Sequence, residues 1–277
     1  MTLKTRKTIL SIMLAAAFAG TVLSAAALSF MILHPEGVFS DYHSGKTIIW
    51  WSVTRDFTSS DTFWAISLFF VMSLYAFISE LVYRKVFGKS PSAEMFFLRF
   101  FILTLPFQSV RILIPLVSSN YFPLSWEIYV TRIAWFARFA GLTALLNIGI
   151  FSSGDMPFQR SGAVLGIGLL ASLGITVTMP LDITIPLGNL LIRSGAEYSL
   201  ELVCLSIKIL AVISLAGIGY QKKQKDYYFL SLYMLIITSG AEMIFFASMP
   251  LVFPGTLLLV SGTVLFSSRI KKMYQWI

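Results

Sequence analysis

Eight runs of apolar residues, most of them 20 or more residues long, divide this chain at residues 9–33, 62–83, 95–117, 128–151, 161–181, 198–220, 227–249 and 251–268. A helix rises about 1.5 Å per residue, so each run is long enough, or nearly so, to cross roughly 30 Å of hydrocarbon. A spanning segment must satisfy its own backbone polar groups, which makes helices the natural form. The expected fold is therefore all-α: a polytopic bundle of about eight transmembrane helices, a single integral membrane domain over 1–277. Apolar residues are 57% of the chain and charged residues 12%, against about a quarter charged in ordinary soluble domains. The bilayer is thus the expected solvent and partner.

The first run follows Lys4, Arg6 and Lys7 and contains the small cluster Ser24-Ala25-Ala26-Ala27. That pattern fits a secretory signal, but the run is far longer than the roughly 7–15 residues of a signal core. It reads as an uncleaved signal-anchor; cleavage would leave seven spans. Pro250 and Pro254-Gly255 separate the last two runs, which reads as a tight helical hairpin with a second break.

Charge orients the bundle. One alternating set of connections holds thirteen Lys and Arg, the other only Lys46, Arg55 and Arg193. The positive-inside bias places both termini in the cytoplasm, and the expected location is the plasma membrane. It also accounts for the net charge of +8 without a nucleic-acid partner. The connection 34–61 is then an outer loop carrying Trp50, Trp51 and Phe57, with Trp64 just inside the second span, rings suited to the interface. The outer connection 182–197 includes 187–193, expected to lie along the interface as a short helix.

Six ionisable side chains fall inside the runs: Arg111, Arg132, Arg138, Glu201, Lys208 and Glu242. Such residues are costly in hydrocarbon, usually face the bundle interior, and mark binding sites or conduction paths. Counting helical rise from the outer ends, Glu201 and Arg132 lie about 5–6 Å deep, Arg111 and Glu242 about 10 Å, and Arg138 and Lys208 about 15 Å. Depth matches Glu201 with Arg132 and Glu242 with Lys208. Arg111 and Arg138 are left without acidic partners, and their planar donor forks suit a carboxylate or phosphate. Gln108, one turn before Arg111, shares its face. The candidate ligand site is therefore Arg111, Arg138, Gln108, Arg132, Lys208, Glu201 and Glu242. The competing reading is a set of structural ion pairs, with Arg132 snorkelling to the surface.

Other features carry less. Pro106 and Pro115 bracket Arg111 and are expected to kink the third span. Glu80 and Arg99 read as an interfacial ion pair near the inner face. Gly162 and Gly166 make a small-xxx-small face that permits close helix approach. His34, Glu36, Asp41 and His43 are zinc-ligand types in an outer loop, but their spacing matches no zinc site, and no metal or cofactor is expected. Cys204 lies in an apolar run as a buried small residue. No catalytic or nucleotide-binding motif is present, so an enzyme is not the expected reading and no catalytic residue is assigned. The leading expectation is a transporter or permease component with an anion site in its outer half, for a small anionic solute or a lipid headgroup. The alternatives are a ligand or lipid sensor signalling through a separate membrane or cytoplasmic protein, and an intramembrane enzyme acting on lipid-linked substrates through Glu201 or Glu242.

Overall fold

The computed structural model describes residues 2–34, 46–50, 53–56, 58–87, 92–118, 123, 125–154 and 160–274. Within them, eight helical spans are long and apolar enough to cross a membrane. They are α1 (Leu3–Leu33), α2 (Ser59–Phe87), a broken third span, α5 (Ser125–Ser152), α6 (Ser161–Thr178), α7 (Glu197–Lys222), α8 (Lys225–Phe246) and α9 (Met249–Tyr274). The chain is a multi-pass membrane protein. Several helices outrun the apolar segments because their ends continue into water, with Arg84 and Lys85 closing α2 and Lys271 and Lys272 closing α9. Cations at a helix C-terminus are favoured there by the helix dipole.

The third span comprises α3 (Ala93–Thr104), a 3-10 segment (Leu105–Ile112) and α4 (Leu113–Ser118). Its two prolines account for the break. Pro106 has no N–H to offer the Ile102 carbonyl, which accepts instead from Leu105 N–H, the tighter bond of a 3-10 turn. Pro115 likewise withholds the α-helical partner of the Arg111 carbonyl. α3 and α5 form the buried centre of the bundle, whereas α1 and α6 lie at its periphery. α1 nevertheless packs closely: a Cβ on Gly20 would stand 2.8 Å from Ser109 Oγ of the 3-10 segment.

The connections at one end hold a four-stranded sheet, which the all-helical expectation did not include. β1 (Lys46–Trp50), β2 (Val53–Asp56), β3 (Leu181–Leu187) and β4 (Leu191–Ser194) run in the order β2-β1-β3-β4. β1–β2 and β3–β4 are antiparallel hairpins, joined by a parallel pairing of Lys46 with Leu187. The interfacial helix expected over 187–193 is therefore a β-turn and strand. Gly188-Asn189 is a hairpin-turn signal, and Leu190 takes the positive φ (57°) that such turns use.

At the opposite end, polar contacts tie helix termini together. Arg6 of α1 donates to Ser161 of α6, Lys222 of α7 to the Ser152 carbonyl of α5, and Arg269 of α9 pairs with Asp226 of α8. This is the basic end of the bundle.

α8 and α9 form the expected hairpin, turning at Ala247 in the left-handed region. The second break at Pro254 does not occur. Pro254 falls early in α9, where its missing N–H would have met the carbonyl of Pro250 in the first turn, and the helix continues. Gly255 is instead a contact point, and a Cβ on its partner Gly240 would lie 2.6 Å from the Leu259 backbone. Gly166, expected to allow close helix approach, faces open space, with nothing within 4 Å of a built Cβ, whereas Gly168 packs against Thr143.

Candidate functional site

Four of the seven candidate residues meet in one buried network. Arg138, near the middle of α5, reaches Glu201 of α7 through two parallel bonds of 2.8 Å from its Nη1 and Nη2. Its Nη2 also donates to Glu242 Oε1 of α8 at 2.8 Å. Lys208 Nζ completes the set, 2.5 Å from Glu242 Oε2. The seven-residue spacing of Glu201 and Lys208 puts both on one face of α7, about 10 Å apart along the axis. Arg138 and Glu242 bridge that interval from two other helices. Cys204 lies on the same face, free and buried.

Two cations and two carboxylates make the network formally neutral. Each side chain is less than a tenth exposed. The Arg138 guanidinium also lies over the rings of Phe245 and Trp135, at 3.8 and 4.8 Å from their centroids. Desolvating these groups is expensive, and close pairing with full hydrogen bonding offsets that cost.

This pairing corrects two expectations. Arg138 is held by two acids rather than left free for an anion. Glu201 pairs with Arg138, not Arg132. Residues 132 and 138 are six apart, about 240° around the helix, so α5 cannot turn both toward α7. Arg132 is half-buried with no ion pair among the described residues, and its Nε has no partner. The pairing of Glu242 with Lys208 is as expected.

Arg111 is the exception in the membrane interior. It is fully buried, and no carboxylate pairs with it among the described residues. Its Nη1 donates to the Phe245 carbonyl at 2.9 Å and more weakly to the Asn189 carbonyl at 3.4 Å. Phe245 belongs to the last turn of α8, where carbonyls lack intrahelical donors and the helix dipole is negative. Its ring lies 4.4 Å from the Arg111 guanidinium and that of Phe69 at 5.6 Å. Arg111 Nε and Nη2 have no partner among the described residues.

Gln108 shares the Arg111 face, since three residues make one full turn of a 3-10 helix. Its Nε2 donates to the Ala134 carbonyl at 3.0 Å, while its Oε1 is buried and has no partner among the described residues. Asn189 Oδ1, in the β3–β4 turn, is also buried without a partner among the described residues. Buried polar atoms left unsatisfied are uncommon, and here Arg111, Gln108 one turn before it, and Asn189, whose carbonyl it meets, all carry them.

Two cavities adjoin the network. One of about 220 Å³ opens between α7 and α8, lined by Leu205, Ile209, Leu235 and Thr238, with Lys208 and Glu242 on its wall. The other, about 30 Å³, lies among Thr104, Gln108, Arg138 and Glu242, room enough for a water molecule. Among the described residues no cluster of His, Cys, Asp and Glu could hold a metal. Of the outer-loop set, His34 follows the last turn of α1, and Glu36, Asp41 and His43 lie outside the described residues.

Asn189, Trp135 and Phe245 do not stand out in the sequence as site residues. Trp135 carries a usable signal, because it precedes Arg138 by one helical turn, the spacing at which side chains meet. Asn189 contributes through its turn, which lies where a short helix was expected. No family model, no curated protein and no solved structure matches this chain, so its function rests on this geometry.

Proposed function

We propose that this chain is a transporter or permease component of the plasma membrane, with both termini in the cytoplasm, that takes a small anion at its sheet end. In this reading Arg111 is the anion contact, assisted by Gln108. The neutral set Arg138, Glu201, Glu242 and Lys208 is the frame that fixes α5, α7 and α8 around it. The observation that carries the proposal is a fully buried guanidinium with two nitrogens lacking partners among the described residues. Charge-assisted bonds to an anion are the strongest way to satisfy such donors. The 3-10 segment supplies a means of movement, since a mid-helix 3-10 stretch often marks a hinge. The β3–β4 turn, whose Asn189 carbonyl meets Arg111, would act as the outer cover.

The test is uptake of lactate, succinate and inorganic phosphate into proteoliposomes, comparing wild type with Arg111→Met and Arg111→Lys. Met keeps an unbranched apolar stem and removes the guanidinium. Loss of uptake in Arg111→Met, with unfolding temperature and helix content retained, is the expected result. Uptake of an anion by wild type that persists undiminished in Arg111→Met would sink the proposal.

A lipid-sensing role is the second reading, favoured by the crevice that runs from the bilayer to Lys208 and Glu242. Under it, a photoreactive phospholipid would label Leu205 or Leu235, and Glu242→Gln would weaken labelling. Unlabelled protein would count against it.

A further inference from the structure

The basic end contains a cavity that shares no residue with the anion site. It has a volume of about 680 Å³ and lies among α1, α2 and α3. Lys7, Arg84, Lys85 and Arg99 line it, together with Ser11 and the apolar side chains Leu10 and Val86. One carboxylate answers these four cations. Glu80, almost wholly buried, accepts from Arg84 Nε at 2.9 Å and from Arg99 at 2.9 and 2.6 Å. Arg84 Nη2 donates to Ser11 Oγ at 2.9 Å, which ties α2 to α1. Two guanidiniums are thus fixed in direction by a buried acid while retaining further N–H donors. Lys7 and Lys85 are exposed and carry no ion pair among the described residues.

A second depression, about 400 Å³, runs between α2 and α9. Ile78, Val82 and Val86 of α2 and Val264 of α9 line it, and Lys271 stands at its basic end. Val86 belongs to the walls of both cavities. The pair therefore offers a cationic chamber beside an apolar channel that follows the helix into the membrane.

We propose that this composite site binds the phosphate of an anionic phospholipid. The phosphate would sit among Lys7, Arg84, Lys85 and Arg99, with an acyl chain along the Ile78–Val82–Val86 ridge. Basic pockets between transmembrane helices on the cytoplasmic side are suited to such headgroups. Guanidiniums favour phosphate because their planar forks match its oxygens. The apolar channel favours a lipid over a free phosphate, which would have no use for it.

The test is native mass spectrometry of the full chain in detergent, titrated with phosphatidylglycerol or with phosphatidylcholine. Wild type should retain phosphatidylglycerol preferentially. Near a membrane each basic residue contributes about 1 kcal/mol of attraction, about fivefold in affinity, so the Lys7→Gln, Arg84→Gln, Lys85→Gln variant should lose on the order of a hundredfold. Lys85→Gln alone, at an exposed position, should lose about fivefold and guards against a misfolded triple variant. The charge-matched variant Lys223→Gln, Lys225→Gln, Lys272→Gln should retain the lipid as wild type does. Equal losses in the two triple variants would reduce the effect to general charge and overturn the site. Absence of any preference for phosphatidylglycerol would overturn it too. Displacement of the lipid by millimolar inorganic phosphate would assign the chamber to a free phosphate compound and overturn the lipid assignment.

Discussion

The interior and the basic end of the bundle build with the same unit and reach opposite results. In the interior Glu242 holds two cations, Arg138 and Lys208; at the basic end Glu80 holds two, Arg84 and Arg99. What differs is the next residue added. Glu201 joins the interior unit and brings it to neutrality, and all four side chains are nearly removed from solvent. At the basic end Lys7 and Lys85 join instead, the excess is positive, and Arg84 is 37% exposed. A balanced set of buried charges has its needs met by the protein. An excess at a wetted edge leaves donors for something else. Arg111 combines the two situations, being buried like the first and uncompensated like the second.

The interior unit should therefore fail most severely when broken. Arg138→Met leaves Glu201 without its bidentate partner and Glu242 with Lys208 alone. Removing one partner of a buried ion pair costs about 3–5 kcal/mol, because the remaining charge stays desolvated. Thermal unfolding in detergent should register a larger drop than for any other single substitution in either charged cluster. Adding Glu201→Gln should recover part of it, since the orphaned charge is then gone. A wild-type unfolding temperature in Arg138→Met would mean that the network does not hold α5, α7 and α8 together.

Lys208→Met should be milder. Glu242 keeps Arg138, so the loss is the charge-assisted bond to Lys208, worth about 1.5–3 kcal/mol, together with the neutrality of the set. The loss should be the same at low and high salt, because buried pairs are poorly screened. A strong salt dependence would place Lys208 in contact with water and erase the contrast between the interior and the basic end.

Glu80→Gln tests the other side of the comparison. The amide keeps one acceptor for Arg84 and Arg99 but loses the charge, and Arg84 can turn to water. About 1–2 kcal/mol is expected, reduced toward the value of a surface pair by solvent around Arg84. Unlike the previous loss, this one should shrink in high salt. Equal insensitivity to salt in both variants would make the interior and the basic end alike.

The contrast was partly legible in the sequence. All eight spans were, because hydrocarbon demands long apolar runs and little else in a chain produces them. The helix break at Pro106 and Pro115 followed from proline chemistry. Glu80 with Arg99 and Glu242 with Lys208 followed from depth. Arg138 with Glu201 did not, since depth along a helix says nothing of which way a residue faces; that needs the rotation of α5 against α7. Arg111's acceptor, the Phe245 carbonyl, was beyond reach because any residue supplies a backbone carbonyl. The sheet was missed for a related reason: β1 and β3 are paired across about 140 residues, and short strands between membrane helices have no burial pattern strong enough to mark them.

The smallest expected effect is the most discriminating. Arg84→Gln removes one arm of the Glu80 fork and the bond to Ser11 Oγ, but Arg99 still holds Glu80 through two bonds. A half-exposed ion pair is worth about 0.2–1 kcal/mol, so unfolding temperature should scarcely move and added salt should narrow even that gap. Phosphatidylglycerol retention should nevertheless fall about fivefold, the contribution of one cation near a membrane. Stability and lipid binding would then be separable at this end, whereas in the interior they cannot be, because there the same bonds hold the helices and satisfy the charges. If Arg84→Gln instead destabilises as much as Lys208→Met and leaves lipid retention intact, the basic end is a second structural clamp, and the chamber beside it has no claim on a phosphate.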